Sequence, residues 1–162
     1  MSKITLRPLR PGDAGWIVMR HAELYHAHDG FDARFEALVA RIVAEFIERH
    51  APPVERGWIA ERPDGTRQGC IFCLRHDART AKLRLFLVEP SVRGAGLGQR
   101  LLEAFLAHAR DSGFERVTLW THESHRAACR LYARNGFACT ASRPVRSFGQ
   151  DLVEQTWERG LP

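Results

Sequence analysis

Lysine is almost missing from this chain. Of its 24 basic side chains only Lys3 and Lys82 are lysines, and none stands in its glycine-rich segment, so a phosphate loop of the GxxxxGK[S/T] kind is excluded. No apolar run approaches the roughly 20 residues that a membrane helix needs. The opening MSKITLRPLR lacks the apolar stretch of a secretory signal, and a cytoplasmic address is expected. Cysteine is sparse too. Cys70 and Cys73 have CxxC spacing, but no second pair and no HxxxH completes a zinc set. They fall in a strand-like stretch, where residues three apart face opposite ways; small buried apolar residues are expected there, and no metal. Repeats, low-complexity tracts, linkers and blocks of like charge are also lacking.

What is present suits one domain over residues 1–162. The chain is 44% hydrophobic and 27% charged, enough to bury a core without staples. Its net charge is +5 and its pI about 9.5. A basic surplus points to nucleic acid, an anionic membrane or a phosphate-bearing small molecule. The arginines are scattered and no nucleic-acid motif or basic–aromatic cluster accompanies them, so neither nucleic acid nor membrane is expected as a partner.

Ile4 to Arg7 alternates as a first strand. Asp13 is the expected N-cap of a helix running through Trp16, Ile17, Met19 and His21 to Tyr25, broken at Asp29-Gly30. Asp32 caps a second helix, in which Phe35, Leu38, Val39, Ile42, Val43, Phe46 and Ile47 form an apolar stripe. Trp58–Glu61 and Gly69–Leu74 read as strands joined through Pro63-Asp64-Gly65-Thr66, and Ala81–Val88 as another. A glycine-rich turn leads to a helix carrying Leu101, Leu102, Phe105, Leu106 and Ala109, closed by Gly113. A strand over Val117–Thr121 follows, then a helix from about Ser124 to Arg134 ending at Asn135-Gly136. Strands near Phe137–Ala141 and Leu152–Trp157 complete the chain. Hairpins early and a strand-helix-strand unit later imply an α/β (α+β) mixed sheet with helices on both faces. Trp120 and Trp157 are expected in the core.

The informative segment runs from Leu85 to Leu102: a buried strand, a turn holding Gly94, Gly96 and Gly98, and an amphipathic helix. Glycines let the backbone approach a ligand closely. Free N–H groups at a helix start, with its dipole, make a site for phosphate or pyrophosphate. Arg93 and Arg100 add charge-assisted bonds. The GxGxG spacing departs from the GxGxxG of a dinucleotide fingerprint.

Arg93-Gly94-Ala95-Gly96-Leu97-Gly98 resembles the R/Q-x-x-G-x-G/A motif of the GNAT superfamily of acetyl-CoA-dependent N-acetyltransferases. Ala128 to Phe137 (ACRLYARNGF) is similar to its A-x-x-x-Y-x-x-x-G-F element, and the order of elements matches over nearly the whole chain. Ser147 to Trp157 further resembles acetyltransferase halves fused behind MarR-type repressors, although no DNA-binding half is present. The resemblance implies a mostly antiparallel sheet of about seven strands, with a central parallel pair that splays apart.

It also implies roles. The main chain of Leu87 and Val88 pairs with the pantetheine arm of acetyl-CoA, and an N–H there polarises the thioester carbonyl. Amides of Gly94, Ala95, Gly96, Leu97, Gly98 and Gln99, with Arg93 and Arg100, hold the pyrophosphate; Arg130 and Arg134 are further candidates for the CoA phosphates. Ser124, His125 and Ala128 lie along the cofactor arm, His125 standing where the family often has Asn. Tyr132 protonates the departing thiolate. Lys82 stands near the place where many members carry a glutamate base, leaving Glu89, His76, His122 and Glu123 as candidates near strand ends, with Glu89 preferred. His21, Tyr25 and Phe31 belong to the part that covers the acceptor pocket in the family. The expected activity is acetyl transfer to an amine by direct attack, with a homodimer left open. The alternative is an acyl-CoA-binding regulatory module with little catalysis.

Overall fold

The computed structural model describes residues 3–162. Along them run β1 (Thr5–Arg7), α1 (Asp13–Asp29), α2 (Ala33–Arg49), β2 (Arg56–Glu61), β3 (Arg67–Arg75), β4 (Thr80–Val88), α3 (Leu97–Asp111), β5 (Arg116–His122), α4 (Arg126–Arg134), β6 (Ala138–Ser147) and β7 (Gln150–Gly160). The strands form one sheet in the order β1-β2-β3-β4-β5-β7-β6. Only β4 and β5 pair in parallel; the other five pairings are antiparallel. The expected architecture is therefore the observed one.

Each face of the sheet has its own core. On one face Leu97, Leu101, Leu102, Phe105 and Ala109 of α3 and Tyr132 of α4 pack against Ile71, Leu83, Val117 and Leu119. On the other, Ile17 of α1 and Phe35, Val39, Val43 and Phe46 of α2 pack against Ile59, Cys70, Phe72 and Leu87. Cys73 belongs to the first core and Cys70 to the second, as their spacing on a strand demands. Both thiols are buried and free, and burial pushes both upward in pKa, Cys73 to about 12. They are packing residues.

Several local expectations needed correction. Asp13 does not cap α1: Gly12, in the left-handed region at φ 98°, occupies that position. Asp13 is the first helical residue and is fully buried, because Arg7 and Arg67 both reach its carboxylate. Asp32 does cap α2, accepting from the Arg34 N–H. Ile47, at the end of the apolar stripe, is 53% exposed. α4 starts at Arg126, after His125, rather than at Ser124. β6 and β7 run longer than expected because Phe148 (φ 54°) and Gly149 (φ 81°) close a two-residue hairpin. Pro144 is tolerated in β6 because that strand lies at the sheet edge.

The feature that shapes the centre is a bulge in β4. Phe72 pairs with Arg84 and Cys70 with Leu87, so three steps on β4 oppose two on β3. Leu85, at φ 52°, absorbs the extra residue. Before the bulge Ala81 and Leu83 face α3; after it Phe86 and Val88 do, while Leu85 and Leu87 turn toward α1 and α2. Beyond Leu83↔Leu119 the parallel ladder ends, and the two strands part. Trp120 lies just past that point and is 37% exposed rather than in the core, since β4 no longer covers it. Trp157 is half-buried against Tyr132.

Candidate active site

The parting of β4 and β5 leaves an opening through the sheet, bounded by Leu85–Val88 on one side and Trp120–His122 on the other. The Glu89 N–H bonds back to Gln68 of β3 at 2.8 Å, so strand alternation turns the Val88 peptide groups toward the opening and those of Leu87 toward β3. The Val88 carbonyl accepts from Arg93 Nε at 3.0 Å, which brings that guanidinium to the rim.

The glycine-rich turn stands at the end of β4. Gly94 (φ 78°) and Gly96 (φ 84°) adopt left-handed backbone, and a Cβ at either would meet no atom within 4 Å. They form an open cradle rather than a tight packing contact. Gly96 occupies the N-cap of α3 with no side-chain cap, and Arg100 is the first residue whose N–H bonds back, to the Gly96 carbonyl at 3.1 Å. The N–H groups of Leu97, Gly98 and Gln99 thus lack intrahelical partners and add to the positive end of the dipole. Gly98 faces Leu131 of α4 at ordinary contact distance. The Gln99 amide exchanges two hydrogen bonds of 2.9 Å with Asn135, clamping α3 to the end of α4. Arg100 leans the other way, its Nη2 donating to the Ile4 carbonyl at 2.9 Å. Ala95 is exposed in the turn, and Arg130 and Arg134 are exposed on α4.

Tyr132 projects from α4 among Phe86, Phe137 and Trp157 and is 4% exposed. Burial raises its pKa well above the usual phenol value, with Tyr25 and Cys129 adding to the rise. A phenol in that setting holds its proton at neutral pH and is a donor. Ala128 lies one turn earlier on α4, partly buried against the same core. Ser124 and Glu123 are exposed, lining an open groove of about 690 Å³ with Arg126, Arg146 and Asp151 between the start of α4 and the β6–β7 hairpin.

Glu89 stands at the rim, but not alone. Both its oxygens are held by Arg20 of α1, Nε to Oε1 at 2.6 Å and Nη2 to Oε2 at 2.8 Å. His76 lies elsewhere: it sits in the β3–β4 turn, bonded to Thr80, where β4 begins, so it is at the opposite end of the strand from the opening. Lys82 is still within the paired part of the ladder, opposite Thr118.

At the end of α1 an aromatic cluster closes around the opening. Tyr25 packs on His21, Phe31 and Phe35 and meets His125 edge-on at 5.1 Å between ring centres. Burial, then the nearby Asp29 charge, raise Tyr25 to about 12, with Arg93 opposing. His21 Nδ1–H donates to the Ile17 carbonyl at 2.8 Å, and burial lowers the ring's pKa to about 4. His125 Nε2 lies 3.2 Å from both oxygens of Asp29. Asp29 and Arg20 were missed as site residues. Asp29 reads locally as a helix breaker, and nothing near Arg20 in the sequence signals a partner 69 residues away.

A sheet in which one parallel pair parts beside a glycine cradle is the architecture of acetyltransferases. An acetyltransferase of the GNAT family from Staphylococcus aureus Mu50 superimposes with a TM-score of 0.79 at 17% identity, over 99% of this chain and 100% of that one. A Salmonella typhimurium protein described as an acetyltransferase, solved with its cofactor acetyl-CoA, superimposes at 0.75 with 21% identity, covering 99% and 95%. A model of the acetyltransferase (GNAT) family matches residues 18–137, and the chain belongs to that family. Among curated relatives, the mycothiol acetyltransferase of Salinispora tropica is 31% identical over 154 residues, 83% of this chain and 45% of the relative. The amino-acid acetyltransferase of Mycobacterium tuberculosis is 30% identical over 112 residues, 67% and 60%. The chain spans about half the length of the mycothiol acetyltransferases it matches.

Proposed function

We propose that this chain, as a single domain over 1–162, is an acetyl-CoA-dependent N-acetyltransferase that moves the acetyl group to a primary amine by direct attack in a ternary complex. The observation that carries this reading is the opening beyond Leu83 and Leu119 set beside the open Gly94–Gly96 cradle and the unpartnered amides of α3. Amides from Gly94 to Gln99, with Arg93, hold the pyrophosphate of the cosubstrate, and Arg100 joins them only if its side chain leaves the Ile4 carbonyl. Leu87 and Val88 present main chain to its pantetheine arm, with Val88 facing the opening. Ser124, His125 and Ala128 flank that arm.

The amine nitrogen attacks the thioester carbonyl carbon, whose developing oxyanion is held by a main-chain N–H of β4. As the C–S bond breaks, its electron pair leaves on sulfur, which takes the Tyr132 proton. A simple thiol has a pKa of about 8.5, so this thiolate leaves readily and the acid adds modestly. Glu89 is the carboxylate candidate for the base, with both oxygens held by Arg20. The four free cysteines suit the reducing cytoplasm, where acetyl-CoA is present. The names of the relatives make amino acids and small-molecule amines the first acceptors to try.

Titration calorimetry with acetyl-CoA tests the reading. Binding is expected, and none at millimolar ligand overturns it. Tyr132→Phe is expected to lower turnover about tenfold with little change in cofactor affinity; unchanged turnover removes the role. The engaged state of Glu89 favours one second reading, an acyl-CoA-responsive module working with a regulator of the MarR kind. It predicts cofactor binding without transfer across a broad amine panel. A homodimer is compatible with either reading.

A further inference from the structure

His122 is the last residue of β5, on the stretch that β4 has left. Its side chain packs toward α1 and α2, edge-on to Phe31, whereas Tyr132 belongs to the core on the opposite face. The residue is 3% exposed, and its Nε2 is buried without a hydrogen-bond partner. Among the described residues only Arg62 Nε and Gln68 Oε1 share that condition, and neither is an imidazole nitrogen.

Beside it stands a second imidazole. The His125 ring meets that of His122 edge-on at 5.5 Å. An ionised carboxylate only accepts, so His125 donates Nε2–H to Asp29. The ionisable groups around His122 are His125 at the start of α4, Asp29 at the end of α1, Glu154 opposite it on β7, and the Cys129 thiol, which donates to the His122 carbonyl at 3.9 Å.

We propose that His122 is the proton acceptor for the attacking amine, entering from the α1–α2 face of the opening, and that His125 and Asp29 are positioning residues that hold the site, with the Asp29 charge favouring the imidazolium. The inference rests on the acetyltransferase reading and moves the base role from Glu89 to His122. As the nitrogen lone pair forms the C–N bond, the N–H proton passes to Nε2 of His122 in its Nδ1–H tautomer. The C–S electron pair leaves on sulfur, which is protonated by Tyr132. Burial first, then the neighbouring His125, lower His122 to about 4, against Asp29 and Glu154, so its lone pair is free at neutral pH. A weak base is sufficient, because nitrogen bonded to the carbonyl carbon is far more acidic than a free ammonium.

The test compares wild type, His122→Gln and Asp29→Asn. Acetyl-CoA affinity is read by calorimetry, and turnover on a panel of amino acids, aminosugars and a lysine peptide. The wild type and His122→Gln are expected to bind acetyl-CoA alike. With the best panel amine, kcat is expected to fall about 100-fold in His122→Gln and about tenfold in Asp29→Asn. The lost rate returns toward high pH in His122→Gln, where hydroxide replaces the base. Equal kcat and an unchanged pH profile in His122→Gln overturn the inference while the acetyltransferase reading stands; absence of acetyl-CoA binding in the wild type overturns that reading instead. If no panel amine is acetylated, ring-nitrogen NMR decides. A shift of His122 Nε2 when n-butylamine joins the acetyl-CoA complex supports the proposal, and an unmoved signal overturns it.

Discussion

The two ends of α1 carry the same kind of residue in opposite circumstances. At its start Asp13 is fully buried and its oxygens are all engaged: Arg7 at 2.7 and 3.1 Å, Arg67 at 2.7 Å and the Arg10 N–H at 2.6 Å. Arg7 in turn reaches Glu61 of β2. At the other end Asp29 holds His125, while the neighbouring His122 keeps a buried nitrogen with no partner. The first cluster ties β1, β2, β3 and α1 together and has no valence left for a ligand. The second leaves one open. Polar groups that serve the fold are closed within the protein, and those that serve a substrate wait for it.

Breaking the closed end has the largest expected effect. Asp13→Ala takes one of two carboxylate partners from the buried Arg7 and the carboxylate partner from the half-buried Arg67, and should cost about 3 kcal/mol of unfolding free energy in a denaturant titration. A loss below about 1 kcal/mol shows that water re-satisfies Arg7 and Arg67, and that the two ends differ less than their geometry suggests.

Acid separates the ends by pH. Burial lowers His21 and His122 to about 4. The unfolded chain therefore binds more protons between about pH 6.5 and 4, and stability falls across that window, by on the order of 3 kcal/mol for His122. Burial alone would raise Asp13, but the hydrogen bonds from Arg7, Arg67 and Arg10 outweigh it and hold the carboxyl at about 2, below its ordinary 3.8. Its contribution, about 2 kcal/mol, is complete above pH 4 and lost as pH falls toward 2. Unfolding free energies of wild type and Asp13→Asn should thus differ by a constant amount above pH 4 and converge below it. Divergence at pH 5 to 6 would place the acid sensitivity of Asp13 elsewhere.

The arginines repeat the contrast. Arg7 and Arg67 are spent inside the protein, whereas Arg93 gives only its Nε to Val88 and is otherwise exposed beside the cradle. Arg93→Ala should leave the melting temperature unchanged and weaken acetyl-CoA binding about tenfold, roughly 1.4 kcal/mol, with added salt weakening the wild type in the same direction. Equal affinities would make the net charge of +5 a surface property.

What could be read from the sequence followed range. The glycine turn, the CxxC on two faces of β3, the Asp32 cap and the Asn135-Gly136 helix end are written in neighbouring residues, and each stands where its local chemistry put it. The ion pair of Arg20 with Glu89 joins residues 69 apart, and the hydrogen bond of His125 with Asp29 joins residues 96 apart. No local pattern encodes them. The Leu85 bulge was hidden for another reason: leucines at 83, 85 and 87 mimic an unbroken alternation, and only pairing with Cys70 and Phe72 shows that the register slips. That slip, invisible in AKLRLFLV, sets which residues of β4 face each side of the opening.

The smallest effect is the most discriminating. An unsatisfied buried nitrogen destabilises a fold that gains nothing else from it, and a binding site tolerates that cost for the sake of its ligand. His122→Leu fills the same space against Phe31 and Trp120 with no polar atom. It should raise unfolding free energy by about 1 kcal/mol at pH 7, and by more at pH 5, where the unfolded wild-type chain gains a proton that the variant cannot. At the same time it should lower kcat about 100-fold, as in His122→Gln. A His122→Leu protein less stable than wild type at both pH values would show that the nitrogen is satisfied in solution, and the two ends of α1 would then differ in partners but not in kind.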